Sequence, residues 1–184
     1  MDREVVGDLA STLAARRGVP ISQEVLDAAV LRAGRSAGPW LLSCAFRSGR
    51  LSLPVLQATI VRVWSDAEVP LRSLTAPEWL EMFAAAGYTD CGKPSPRPAE
   101  PLRLWRGAPY KYHRRWSWTA DFDRAQRFAD RSRGRVWSAV VPPFALLGAD
   151  TGHEGRNESE YVVNTTGLTI QSGFTGAGAY PVAH

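Results

Sequence analysis

Cysteine is almost missing from this chain of 184 residues, which has only Cys44 and Cys91. Two cysteines so far apart have neither zinc-ligand spacing nor the density of a disulfide scaffold, so free thiols are the expected state. Histidine is scarce too: His113, His153 and His184 are scattered, which argues against a metal cluster. No apolar run approaches the length that crosses a bilayer. The opening Met1-Asp2-Arg3-Glu4 is charged and lacks the apolar segment of a secretion signal, so a cytoplasmic location without membrane attachment is expected. What is present, 45% hydrophobic against 22% charged residues, reads as a globular protein. Its length gives one large domain or two small ones, with enough chain for a proper core.

Residues 3–17 repeat apolar positions at helical spacing (Val5, Val6, Leu9, Leu13, Ala14), and Gly18 and Pro20 stop the run. Ser22 reads as the N-cap of a second helix, with Val25, Leu26, Ala29 and Val30 behind it. A third helix begins near Trp40, and a fourth runs from about Leu53 to Trp64. Thr75 and Glu78 form a capping box with Pro77 in the first turn, opening a fifth helix that Gly87 ends. The tryptophans of this half read as core fillers, and no catalytic constellation is visible in it. Residues 92–101 hold four prolines and read as an extended connector. The expected organisation is therefore a helical subdomain over 1–91, a connector over 92–101 and a β-rich domain over 102–184.

Charge divides the same way. The first 96 residues are neutral, with ten Lys/Arg against ten Asp/Glu, and the net +4 lies beyond them. Residues 97–135 alone carry eleven basic and four acidic side chains. A dianionic pyrophosphate suits that stretch, as does a merely solvated basic face. Nucleic acid stays open as a partner, although most of these arginines are not interleaved with aromatics on one strand face.

Leu102 to Trp105 reads as a strand ending on Arg106-Gly107. Trp116 to Thr119 reads as a short strand in which polar and aromatic residues alternate. A helix follows, capped by Asp121 or Asp123, with Phe122, Ala125, Phe128 and Ala129 inward and Arg124, Arg127 and Arg131 outward. Arg135 to Val141 is a strand, apolar on both faces and ended by Pro142-Pro143. A polar loop over 150–157 precedes Glu158-Ser159-Glu160 at the head of a strand through Val163, where alternation puts both glutamates on one side. Leu168 to Ile170 reads as a last strand, and the Gly- and Ala-rich tail reads as loosely ordered.

Leu104-Trp105-Arg106-Gly107, Ser117-Trp118-Thr119 and Glu158-Ser159-Glu160-Tyr161-Val162-Val163 together resemble, in order and strand context, a known signature. It is the Arg, Ser-x-Ser/Thr, Glu-x-Glu pattern of mono-ADP-ribosyltransferases of the R-S-E class (cholera-toxin-like, arginine-specific, bacterial or phage type). The resemblance covers residues 102 to 170. It implies an α+β chain: an N-terminal helical subdomain, then an ADP-ribosyltransferase-like split β-sandwich with few helices. It also implies NAD as substrate, no metal, and transfer of ADP-ribose to an acceptor macromolecule, a protein or a nucleic acid.

The resemblance assigns catalysis to Glu160, Glu158 and Ser117, and NAD binding to Arg106, Gly107, Ser117, Trp118, Thr119 and Phe128. Many relatives have Tyr-Arg-Gly where this chain has Trp-Arg-Gly, and many place a helix where Arg106 and Ser117 are only 11 positions apart. Glu160 would stabilise the oxocarbenium-like state formed as nicotinamide leaves, and Glu158 would orient an acceptor such as a protein arginine. A histidine on the first strand would indicate the diphtheria-toxin-like branch, and this chain has Arg106 there. Three alternatives stay open: an NAD glycohydrolase using water, a catalytically silent module of the same fold, and a regulatory protein working through its helical half.

Overall fold

The computed structural model describes residues 3–15, 17–152 and 159–173. It is a mixed α/β fold, with seven α-helices and eight strands among the described residues. The chain forms two compact units, Met1–Arg97 with Leu147–Glu158, and Pro98–Leu146 with Ser159–His184. None of the described helices is long and apolar enough to cross a membrane.

The first unit carries α1 (Arg3–Ala14), α2 (Gln23–Ala33), α3 (Gly38–Arg47), α4 (Leu53–Asp66), the single turn α5 (Pro70–Ser73) and α6 (Ala76–Ala86). The expected caps are in place. The Ser22 side chain accepts from the Val25 amide, and Thr75 and Glu78 close a complete capping box. Helix α1 stops at Ala14, three residues short of the expected end. It has no basic residue in its last turn, and Arg50 supplies one from across the unit by donating to the carbonyls of Thr12, Leu13 and Val19. That contact closes orphan carbonyls at the helix end and opposes the negative end of its dipole.

Trp64, Trp79 and Phe83 fill the core where α4 meets α6. The two indoles pack edge-on at 5.0 Å and 75°, both fully buried. Such a pair adds to area burial through the quadrupoles of the rings. The unit also holds β1 (Thr89–Asp90), β2 (Lys93–Pro94) and β6 (Leu146–Asp150), which sequence periodicity does not reveal because the first two are only two residues long. β1 pairs antiparallel with β2 and parallel with β6. Asp90 clamps the end of this arrangement by accepting from the Thr151 amide at 2.9 Å and from its hydroxyl.

The second unit is an antiparallel sheet with one helix. Its strands are β3 (Leu102–Ala108), β4 (Ser117–Thr119), β5 (Arg135–Val141), β7 (Glu160–Val163) and β8 (Gln171–Ser172), in the order β7-β4-β3-β5-β8. β3 is central and pairs with β5 over all seven of its residues. Helix α7 (Phe122–Ser132) is capped by the Asp121 side chain and packs Ala125 and Ala129 against Trp105 and Val136.

Three expectations need correction. β3 does not end at Arg106-Gly107 but runs on to Ala108, because β5 supplies a partner to its last residue. Leu168–Ile170 is not a strand; the pairing falls one residue later, where Gln171 and Ser172 meet Ser138 and Trp137. Phe128 does not face inward but is 49% exposed, because the small Ala125 and Ala129 already fill the contact with the sheet. The tail beyond Gly173 lies outside the described residues.

Candidate functional site

The three stretches of the motif fall on three strands that are neighbours in the sheet, β3, β4 and β7. Trp105 lies opposite Thr119, and Thr119 lies opposite Glu160, so these residues form one row across the strands. Ser117 lies opposite Val162, and the buried Trp118 opposite Tyr161. Side chains alternate along a strand. Ser117, Thr119 and Glu160 therefore share the face that carries α7, and Arg106, one residue out of step with Trp105, belongs to the other.

Gly107 explains why the sequence needs a glycine beside the arginine. A Cβ built there would stand 1.9 Å from the Ala125 carbonyl oxygen and 2.4 Å from the Ala129 nitrogen. The glycine is required by helix packing, whether or not any ligand approaches it.

On the other face, the loop between Ala108 and Ser117 folds back over the sheet, and Arg106 holds it. Its Nε–H donates to the Tyr112 carbonyl at 3.1 Å, and an Nη1–H donates to the Ser117 carbonyl. The short spacing between Arg106 and Ser117 is thus spanned by a loop wrapped around one guanidinium. Burial pulls the Arg106 pKa down to about 10; the like charge of Arg115 acts in the same direction and Glu160 opposes it. The group stays cationic at neutral pH. Arg115 also lies over the Tyr112 ring at 3.9 Å, so both arginines grip the same residue, one by its carbonyl and one by its ring.

Thr119 is largely committed to the fold. Its hydroxyl accepts from the Asp121 amide at 3.1 Å, and Asp121 in turn accepts from the Arg124 amide at 3.0 Å. These two bonds turn the chain from β4 into α7, a local side-chain-to-backbone device typical of Ser, Thr and Asp. Trp118 donates its indole N–H to the Arg115 carbonyl at 2.8 Å, which fixes the end of the loop. Ser117 and Glu160 are half-buried at the sheet surface. Phe128 stands exposed on α7. Glu158 lies outside the described residues, as do His153 and His184.

No family model, curated protein or solved structure matches this chain.

Sequence reasoning missed Tyr112, Arg115 and Trp137 as neighbours of Arg106. The density of aromatic and basic residues between Tyr110 and Trp116 was the only signal, and it names a loop without saying which way it folds. Among the described residues no group of three or more His, Cys, Asp or Glu is placed to hold a metal ion.

Proposed function

We propose that the second unit is an NAD-dependent mono-ADP-ribosyltransferase built on an ADP-ribosyltransferase-like split β-sandwich. The observation that supports this reading most is the adjacency of β3, β4 and β7, with Thr119 between Trp105 and Glu160 in register. Three segments far apart in sequence thereby bring Ser117, Thr119 and Glu160 onto one face of the sheet, with Arg106 on the opposite face of the neighbouring strand.

In this reading Glu160 is the residue that matters most for the chemistry. Cleavage of the nicotinamide–ribose bond builds positive charge on the ribose, and a carboxylate fixed on a strand stabilises it without reorganising. Nicotinamide leaves as a neutral base, so no general acid is needed on that side. Ser117, on the same face, would orient Glu160 or a ribose hydroxyl. Arg106 has five N–H donors and uses some of them on the Tyr112 and Ser117 carbonyls. On the face opposite Glu160 it would contribute by holding the Tyr112 loop in place, and any NAD phosphate it met would lie on that face. Glu158 would select the acceptor, a guanidinium in the reading the Glu-x-Glu favours.

Release of nicotinamide from NAD by the full chain tests this directly, with Glu160→Gln as the comparison. The neutral variant keeps the shape and loses the charge, and release is expected to fall by roughly a hundredfold or more, the scale of losing one preorganised electrostatic group. Equal release from both proteins, or none from the wild type together with no NAD binding by calorimetry, rules the reading out. Release that persists in water alone, with no labelled protein product, identifies the glycohydrolase instead.

A further inference from the structure

The loop after β3 carries a cluster of rings that the NAD chemistry does not use. Tyr110 stacks on His113 at 4.9 Å and 24°, His113 lies on Trp137 of β5 at 4.7 Å, and Tyr110 itself meets Trp137 at 5.8 Å, so the three rings form a triangle. Trp137 is buried and anchored by its indole N–H to the Ala108 carbonyl at 2.8 Å. Of the three, Tyr110 reaches solvent and is 74% exposed. A short 3₁₀ turn over Tyr110–Tyr112 holds it there, through the Tyr112 amide on the Pro109 carbonyl and the His113 amide on the Tyr110 carbonyl. The cluster is thus rooted in the sheet through Trp137 and meets solvent through Tyr110.

Cations lie along the loop and at its root. Arg135 pairs in register with Ala108, at the root of the loop, and its guanidinium lies 5.8 Å from the Trp137 ring centre. Arg133 is exposed and adopts φ 50°, the left-handed region, to end α7. Gly134 between them presses on the loop root, where a Cβ would meet the backbone of Ala108 at 2.3 Å and of Pro109 at 2.4 Å. The backbone of Arg133 and Arg135 is therefore held against the root of the loop that carries Tyr110. Lys111, next in the chain, is exposed and reaches over the Tyr112 ring at 4.7 Å.

We propose that the exposed Tyr110, backed by His113 and Trp137 and with Lys111, Arg133 and Arg135 along the same loop and its root, forms a platform that binds single-stranded nucleic acid. An unpaired base offers a flat π-face for the open side of Tyr110, and its flanking phosphates match the cations. A duplex keeps its bases stacked inside and offers only the phosphates. An acidic peptide satisfies the cations and leaves the ring without a partner. The charge of the region fits a polyanion, with eleven basic against four acidic residues over 97–135. The proposal stands apart from the NAD reading, because it uses none of the residues assigned to that chemistry. It supplies an acceptor class if both hold.

The test is fluorescence anisotropy with the full chain and a labelled twelve-nucleotide single strand of mixed sequence, without NAD. The same sequence as duplex and a poly-glutamate peptide serve as competitors. Tyr110→Ala is expected to weaken single-strand binding by about tenfold, the scale of one lost base–aromatic stack. Replacing Arg133 and Arg135 by Ser is expected to lower the slope of log affinity on log salt by about 1.4, for two phosphate contacts on a single strand. Urea unfolding of each variant separates loss of the platform from loss of the fold. Absence of single-strand binding at low salt overturns the proposal. Equal competition by duplex or poly-glutamate, or unchanged affinity in a folded Tyr110→Ala protein, overturns it too.

Discussion

Both units use tryptophan as filler and as anchor, and they differ in what the anchors hold. In the helical unit Trp64 and Trp79 are fully buried and meet edge-on at the centre of the α4–α6 contact, and Trp79 donates its indole N–H to the Pro70 carbonyl at 3.2 Å, at the start of α5. In the sheet unit Trp118 donates to the Arg115 carbonyl and Trp137 to the Ala108 carbonyl, so the two ends of the loop after β3 are each held by an indole N–H. Burial tolerates repacking, since dispersion and area burial are not directional. A hydrogen bond to one carbonyl does not, because it specifies one geometry. The difference teaches where a site can be built: beside the loop that is anchored at both of its ends.

The sharpest way to break this comparison is Gly107→Ala. The added methyl collides with α7 backbone, which cannot swing away like a side chain, so a loss on the order of 4 kcal/mol or more is expected, confined to the sheet unit. Urea unfolding followed by hydrogen exchange checks it: protection should fall in β3, β5 and α7 and persist in α4 and α6. Trp64→Ala is the counterpart in the helical unit, with an expected cost of about 3–5 kcal/mol from lost burial and the cavity left behind. If it instead lowered protection most in β3, the division of roles would fail.

Smaller changes sharpen the contrast. Thr75→Ala removes half of the capping box on α6, and a loss of about 1 kcal/mol is expected, read as a shift in urea midpoint. Asp90 offers the finest test, through pH. Burial pushes its carboxyl up, but the Thr151 and Cys91 hydrogen bonds outweigh this and leave its pKa lowered. A lowered carboxyl contributes stability above its unfolded value of about 3.9 and loses it as pH falls through the folded value. Asp90→Asn should therefore be less stable than wild type at neutral pH, and the gap between their urea midpoints should close in acid. A gap that stays constant to the lowest pH measured would assign the effect to shape alone.

The helical unit was largely legible in the sequence because its signals are local. Ser22, Thr75 and Glu78 cap the helices whose apolar faces follow them, within three or four residues of the bond they make. The exception shows the limit: Arg50 ends α1 from 36 residues beyond Ala14, and no local pattern announces that. In the sheet unit the apolar run of β5 and the Asp121 cap of α7 could be read in advance. The burial of Phe128, the end of β3 and the last strand could not, since each depends on which partner the strand or helix meets.

For the candidate site, the sequence by itself determined which residue types are available and in what order: arginine, two hydroxyls, glutamate. Side-chain chemistry is carried by the residue and does not wait for folding. Only the tertiary structure decided that Thr119 stands between Trp105 and Glu160, that Arg106 faces the loop and not the helix, and that Tyr110 carries a cluster of rings into solvent. Those facts are strand register and loop direction. A shift of one residue in pairing would turn every side chain to the opposite face at almost no cost in local propensity, so only the sum of long-range contacts selects among the alternatives.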